Sequence, residues 1–111
     1  MFFSWFNTQG VDAFVDAEVA DILRRVPPGK LDASGPAGKK ALDQLAKVHD
    51  VVLRNVRNLV RRDKPNLYQK ARIANRMKWA LREAKYPASF VDEFAYALAT
   101  VVAGANSDRE I

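Results

Sequence analysis

GKKALDQLAKVHDVVLRNVRNLVRR, residues 38–62, decides the fold. Leu42, Leu45, His49, Val52, Val56, Leu59 and Val60 fall within one broad arc when the chain advances ~100° per residue. The spacing predicts a long amphipathic helix over about 38–62. Asp63-Lys64-Pro65 ends it, because a residue before proline resists the helical region. Nowhere in the chain do apolar and polar residues alternate with a period of two, so no strand is expected.

Upstream, Val11, Val15, Val19, Ile22 and Val26 are spaced four, four, three and four apart, the stripe of a helix over 11–26. Pro27 and Pro28 stop it. Residues 29–38 read as a loop, with Asp32, Ser34, Gly35, Pro36 and Gly38 as turn formers. Downstream, Asn66 is a good N-cap for a helix over 67–85, with an apolar arc of Leu67, Ala71, Ile73, Ala74, Met77, Ala80, Leu81 and Ala84. Tyr86-Pro87 breaks that helix. Ser89 with Asp92 resembles a capping box for a fourth helix over 89–103, built on Phe90, Phe94, Ala97, Leu98 and Val101. Gly104 is the expected C-cap, and 105–111 is expected to fray. The reading is an all-α, four-helix array, a small helical bundle forming one domain over 1–104. Short connections favour antiparallel neighbours among helices two, three and four.

The 111 residues leave room for one domain. A composition 49% hydrophobic and 28% charged is that of a globular chain, not a disordered one. The absence of cysteine excludes a disulfide framework, a cysteine-bound zinc site and a thiol nucleophile. The opening apolar run is too short for a signal peptide and lacks a basic start. The run from Phe94 to Ala105 falls well short of the ~20 residues that span a bilayer. No transmembrane segment is expected, and a cytoplasmic location is the default reading.

The net charge of +5 is unevenly distributed. Residues 1–38 carry three basic and five acidic groups, residues 39–85 fourteen and four, and residues 86–111 one and four. The middle helices are therefore basic and the outer ones acidic. On the second helix Asp43 and Asp50 stand one turn from Lys47 and Arg54 and offset them. Arg57, Arg61, Arg62 and Lys64 have no such partner four residues away and form the densest cationic cluster. On the third helix Tyr68, Arg72, Arg76, Trp79 and Arg82 interleave aromatics with arginines. Guanidinium groups neutralise phosphates and exposed aromatics stack on unpaired bases, so Arg57, Arg61, Arg62, Lys64, Arg72, Arg76 and Trp79 are the candidate nucleic-acid or anion contacts. The alternative is structural: acidic outer helices pack beside basic inner ones, with Tyr68 and Trp79 buried against the first helix.

Recognised motifs do not fit. Gly35-Pro36-Ala37-Gly38-Lys39-Lys40 lacks the first glycine, the hydroxyl residue and the preceding strand of a phosphate-binding loop. A KH turn needs a sheet, and the glycine spacing departs from a helix-hairpin-helix. What remains is a helix start beside Lys39 and Lys40 that suits one anion. The fourth helix presents Asp92, Glu93, alanines and valines where a DNA-recognition helix needs basic or amide groups. His49, the single histidine, lies in the apolar arc and reads as a hydrogen-bonded core residue. No serine or threonine stands near a recognisable base motif, and no carboxylates pair for acid–base work. No metal site, cofactor or catalytic group is expected.

The cluster Phe2, Phe3, Trp5 and Phe6 reads either as a cap on the core or as an exposed anchor for a partner groove or membrane interface. The acidic first helix disfavours the membrane. The functional expectation is a non-catalytic interaction module that binds a protein partner or itself. The alternative is a nucleic-acid-binding protein using the basic faces of the two middle helices.

Overall fold

A computed structural model describes residues 7–32 and 35–110, the side chains of 32 and 104–110 excepted. Four α-helices follow one another: α1 (Gln9–Arg25), α2 (Pro36–Asp63), α3 (Leu67–Glu83) and α4 (Ala88–Glu110). A 3-10 helix, Pro28–Asp32, bridges α1 and α2. No strand occurs among the described residues. The all-α, four-helix array is the architecture that the periodicity predicts.

The stripe Val11, Val15, Val19, Ile22 and Val26 is buried as its spacing requires. It meets Leu45, Val52, Val56 and Leu59 of α2, Ile73, Met77 and Leu81 of α3, and Val91, Phe94 and Leu98 of α4 in one apolar core. Most members of the other two expected arcs are buried as well, Leu45, Val52, Val56, Leu59 and Val60 on α2 and Ile73, Met77 and Leu81 on α3, but their N-terminal members turn outward. Leu42 on α2 is 56% exposed and Leu67 on α3 is 74% exposed. On α3 the inward line is instead Lys70, Ile73, Met77 and Leu81. The long methylene stem of Lys70 takes the position in the first turn that a leucine was expected to fill.

Three boundaries differ from the sequence reading. Pro36 occupies the first turn of α2, so the helix begins there and not at Gly38. Proline is tolerated at that place because its missing N–H would be unpaired anyway. Gly35 precedes it with φ 72 and ψ −148, a backbone region closed to side-chain-bearing residues. Ser89 lies inside α4, whose first turn is closed by the Val91 amide on the Pro87 carbonyl at 3.0 Å. Gly104 does not end α4, which continues to Glu110. A lone glycine flanked by alanines costs a helix only about 1 kcal/mol.

The Asn66 cap forms as expected, and with more bonds. Its Oδ1 accepts from the Gln69 amide at 2.8 Å, and Gln69 Oε1 accepts from the Asn66 amide at 2.9 Å, a reciprocal capping box. Gln69 Nε2 also donates to the Asn7 carbonyl at 2.8 Å, tying the approach to α1 onto the start of α3.

Packing order differs from chain order. The main contacts join α3 to α4, α1 to α3, and α2 to α4. The consecutive helices α2 and α3, expected to lie side by side, diverge from their short connection. The αL conformation at Lys64 (φ 48) redirects the chain there. Asn55 Nδ2 donates to Glu18 Oε1 at 2.9 Å and fastens α2 to α1.

Candidate interaction surface

α1 and α3 lie side by side in parallel. Arg72 Nε and Nη2 donate to the two oxygens of Asp12 at 2.9 and 3.2 Å. One turn further along both helices, Arg76 Nε and Nη2 donate to the two oxygens of Asp16 at 2.9 Å each. Arg76 Nη1 also stands 3.8 Å from Asp12 Oδ2. Two-point pairing of this kind fixes the guanidinium plane as well as its position. Thr8 adds a hydroxyl bond to Asp12 Oδ2 at 3.0 Å. The Arg72 guanidinium bond holds the Asp12 carboxyl below its ordinary range, and the Arg76 bond does the same for Asp16.

These pairs give Arg72 and Arg76, two of the expected phosphate contacts, a structural task. They join the acidic outer helix to a basic inner one, as the structural alternative expected. The aromatic half of that alternative is corrected: Trp79 is 54% and Tyr68 42% exposed, not buried against α1. Their positions lie on the far side of the helix from Ile73 and Met77. The outer face of α3 forms one wall of an open groove of about 730 Å³, lined by Tyr68, Arg72, Asn75, Trp79 and Glu83 with Asp16 of α1. Lys78 Nζ and the Arg82 guanidinium stand 5.8 and 5.4 Å from the Trp79 ring centre, flanking the indole with cations. Asp16 and Glu83 keep the groove of mixed charge.

The cationic cluster at the end of α2 is less uniform than its spacing implied. Arg62 Nε and Nη2 donate to the adjacent Asp63 carboxylate at 2.8 and 3.2 Å. A search at four-residue spacing misses this pair because a long arginine side chain folds back on its immediate neighbour. Arg61 is exposed and also engaged. Arg57 and Lys64 are exposed and carry no ion pair among the described residues. Lys39 and Lys40 are exposed near the start of α2.

His49 departs from the expected satisfied core histidine. Its ring stands edge-on to Phe94 with centroids 4.6 Å apart, and 6.1 Å from Phe90. Nε2 is buried without a hydrogen-bond partner, while Nδ1 lies 4.0 Å from Asp50 Oδ1. Beside it is a cleft of about 270 Å³ whose walls include Leu42, Phe90 and Glu93. Among the described residues no group of three or more His, Cys, Asp or Glu side chains could hold a metal ion. None of their helices is long and apolar enough to cross a membrane. Phe2, Phe3, Trp5 and Phe6 lie outside the described residues.

No family model matches the chain, and neither a curated protein nor a solved structure matches it significantly.

Proposed function

We propose that the protein is a non-catalytic helical module that binds a protein partner, or itself, through the outer face of α3. The observation that carries this is Trp79, more than half exposed on a groove whose arginines are already held in place. Tryptophan, tyrosine and arginine are the side chains that concentrate binding energy at protein interfaces. A guanidinium fixed by its own carboxylate loses little entropy on docking. The carboxylates of Asp16 and Glu83 in the same groove favour a protein surface over a polyphosphate.

A second reading, nucleic-acid binding, rests on Arg57 and Lys64, exposed and without ion pairs among the described residues at the end of α2. One experiment separates the two. Wild type, Trp79→Ala and the triple variant Arg57→Glu/Arg61→Glu/Arg62→Glu are titrated with single-stranded and duplex oligonucleotides over a salt series. In parallel they are used as bait for protein partners. Under the first reading Trp79→Ala loses its protein contacts and oligonucleotides do not bind. Oligonucleotide binding that falls steeply with salt and vanishes in the triple variant overturns it in favour of the second.

A further inference from the structure

Asn7 is fastened at the head of α3, where its carbonyl accepts from Gln69 Nε2 at 2.8 Å. The six residues before it, Met1-Phe2-Phe3-Ser4-Trp5-Phe6, carry four aromatic side chains and no charged one. Each such ring takes about 150–250 Å² out of water when it is covered. At ~3.3 Å per residue, six extended residues reach ~20 Å from the fastening. Two surfaces border that point. The end of α2 is charged: Arg61, Arg62, Asp63 and Lys64 are all exposed. The start of α3 is apolar: Leu67 is 74% and Tyr68 42% exposed, and Ala71 is exposed as well. Ala71 stands four residues from Leu67 and three from Tyr68, so the three side chains make one patch on the helix surface. Tyr68 and Ala71 also line the head of the groove that runs to Trp79. From Tyr68 to Trp79 is roughly 16 Å at 1.5 Å per residue, within the reach of the six residues.

We propose that the segment Met1–Phe6 of this chain docks on the patch Leu67, Tyr68 and Ala71 and covers the head of the α3 groove. Reach, hydropathy and charge select the same surface. On Leu67, Tyr68 and Ala71 the aromatic segment displaces water from apolar groups, whereas on the end of α2 it would strip water from four charged ones. Arg72 and Arg76, which line the groove, already hold Asp12 and Asp16, so the cover leaves no unpaired guanidinium beneath it. The contact stands on these observations by themselves. Its consequence rests on the role given above to the same face: a partner arriving at Trp79 competes with the chain's own aromatics for the groove, and the segment acts as an internal competitor.

The chain lacks cysteine, so a pair of introduced thiols reports on one contact alone. Ser4→Cys is combined with Ala71→Cys and, for comparison, with Asn58→Cys on the exposed side of α2 near its end. The expected result is an intramolecular disulfide that forms several-fold faster with Ala71→Cys than with Asn58→Cys. Trp5 and Trp79 are the two tryptophans of the chain, so Trp79→Phe leaves Trp5 as the sole indole. Its emission is expected to be that of a ring shielded from water. Adding Leu67→Asp and Ala71→Asp, both at exposed positions, shifts it to the red while helical circular dichroism is retained. Equal disulfide rates, or a Trp5 emission already that of an indole in water and indifferent to the two aspartates, overturn the proposal. A disulfide preference for Ala71→Cys without any Trp79-dependent protein partner keeps this contact and sinks the partner reading. Equal rates alongside a Trp79-dependent partner do the reverse.

Discussion

The Tyr86 hydroxyl donates a 2.7 Å hydrogen bond to the carbonyl oxygen of Val26, sixty residues earlier. Both residues are buried, and each lies just beyond the end of a helix, α1 for Val26 and α3 for Tyr86. A chain end that turns inward leaves carbonyls without helical partners, and here a side chain from the neighbouring turn satisfies one. Tyr86→Phe keeps the ring and orphans that carbonyl. Urea denaturation is expected to show a loss of about 1–3 kcal/mol, the cost of an unpaired buried acceptor.

The same burial sets an alkaline limit. The Tyr86 hydroxyl is pushed from 10.0 up to about 12. Its contribution is whole below pH 10 and declines as the pH rises toward about 12, because the unfolded chain gives up its proton first. Stability of the wild type should fall across that range more steeply than stability of Tyr86→Phe.

Asp12 and Asp16 act in the opposite direction. Their carboxyls are lowered by Arg72 and Arg76, so their contribution is present above the ordinary value of 3.8 and is lost as the pH falls through the lowered folded values. In urea melts between neutral pH and pH ~3 the double variant Asp12→Asn/Asp16→Asn should lose less stability than wild type. A parallel loss in both would show that the pairs contribute nothing to acid sensitivity.

α3 ends in a Schellman motif: the Tyr86 amide donates to the Leu81 carbonyl at 3.3 Å and the Lys85 amide to that of Arg82 at 3.1 Å. Lys85 supplies the left-handed residue at φ 76, a place that favours glycine. Lys85→Gly is expected to raise stability by about 1 kcal/mol in chemical denaturation, by removing the strain of a Cβ in that region.

Binding and folding can be separated on α3 itself. Trp79→Ala removes an exposed ring and should shift stability by no more than about 0.5 kcal/mol, whereas Met77→Ala empties a fully buried position and should cost about 2–5 kcal/mol. A large destabilisation by Trp79→Ala would mean that the indole belongs to the core.

The helices were legible because their apolar spacing is repeated over many turns. Val11 to Val26 in α1 needed nothing else. The misses have separate causes. Leu42 and Leu67 sit in the first turn or two of their helices, where a helix has only begun to pack and one residue of rotation carries a side chain out. Pro36 is a turn former and equally a good first residue for a helix, and here it starts α2, whereas the break signal of Gly104 is overridden by the helix on both sides of it. For the surface, the arginines and aromatics of α3 could be named from their spacing. Their division of labour could not, because it depends on which carboxylates α1 brings alongside. Periodicity gives the faces of a helix but not which neighbour each face meets.

The ion pairs between α1 and α3 form a ruler with equal marks, since Asp12 and Asp16 are one turn apart and so are Arg72 and Arg76. Such a ruler is ambiguous. If α1 slid one turn, ~5.4 Å, along α3, one carboxylate would still find a guanidinium, and only half of the pairing would be lost. The marks that do not repeat lie at the ends, where Gln69 grips the Asn7 carbonyl and Tyr86 grips that of Val26. A slip of one turn breaks both at once. Charge therefore draws the two helices together, and uncharged hydrogen bonds at either end select the alignment.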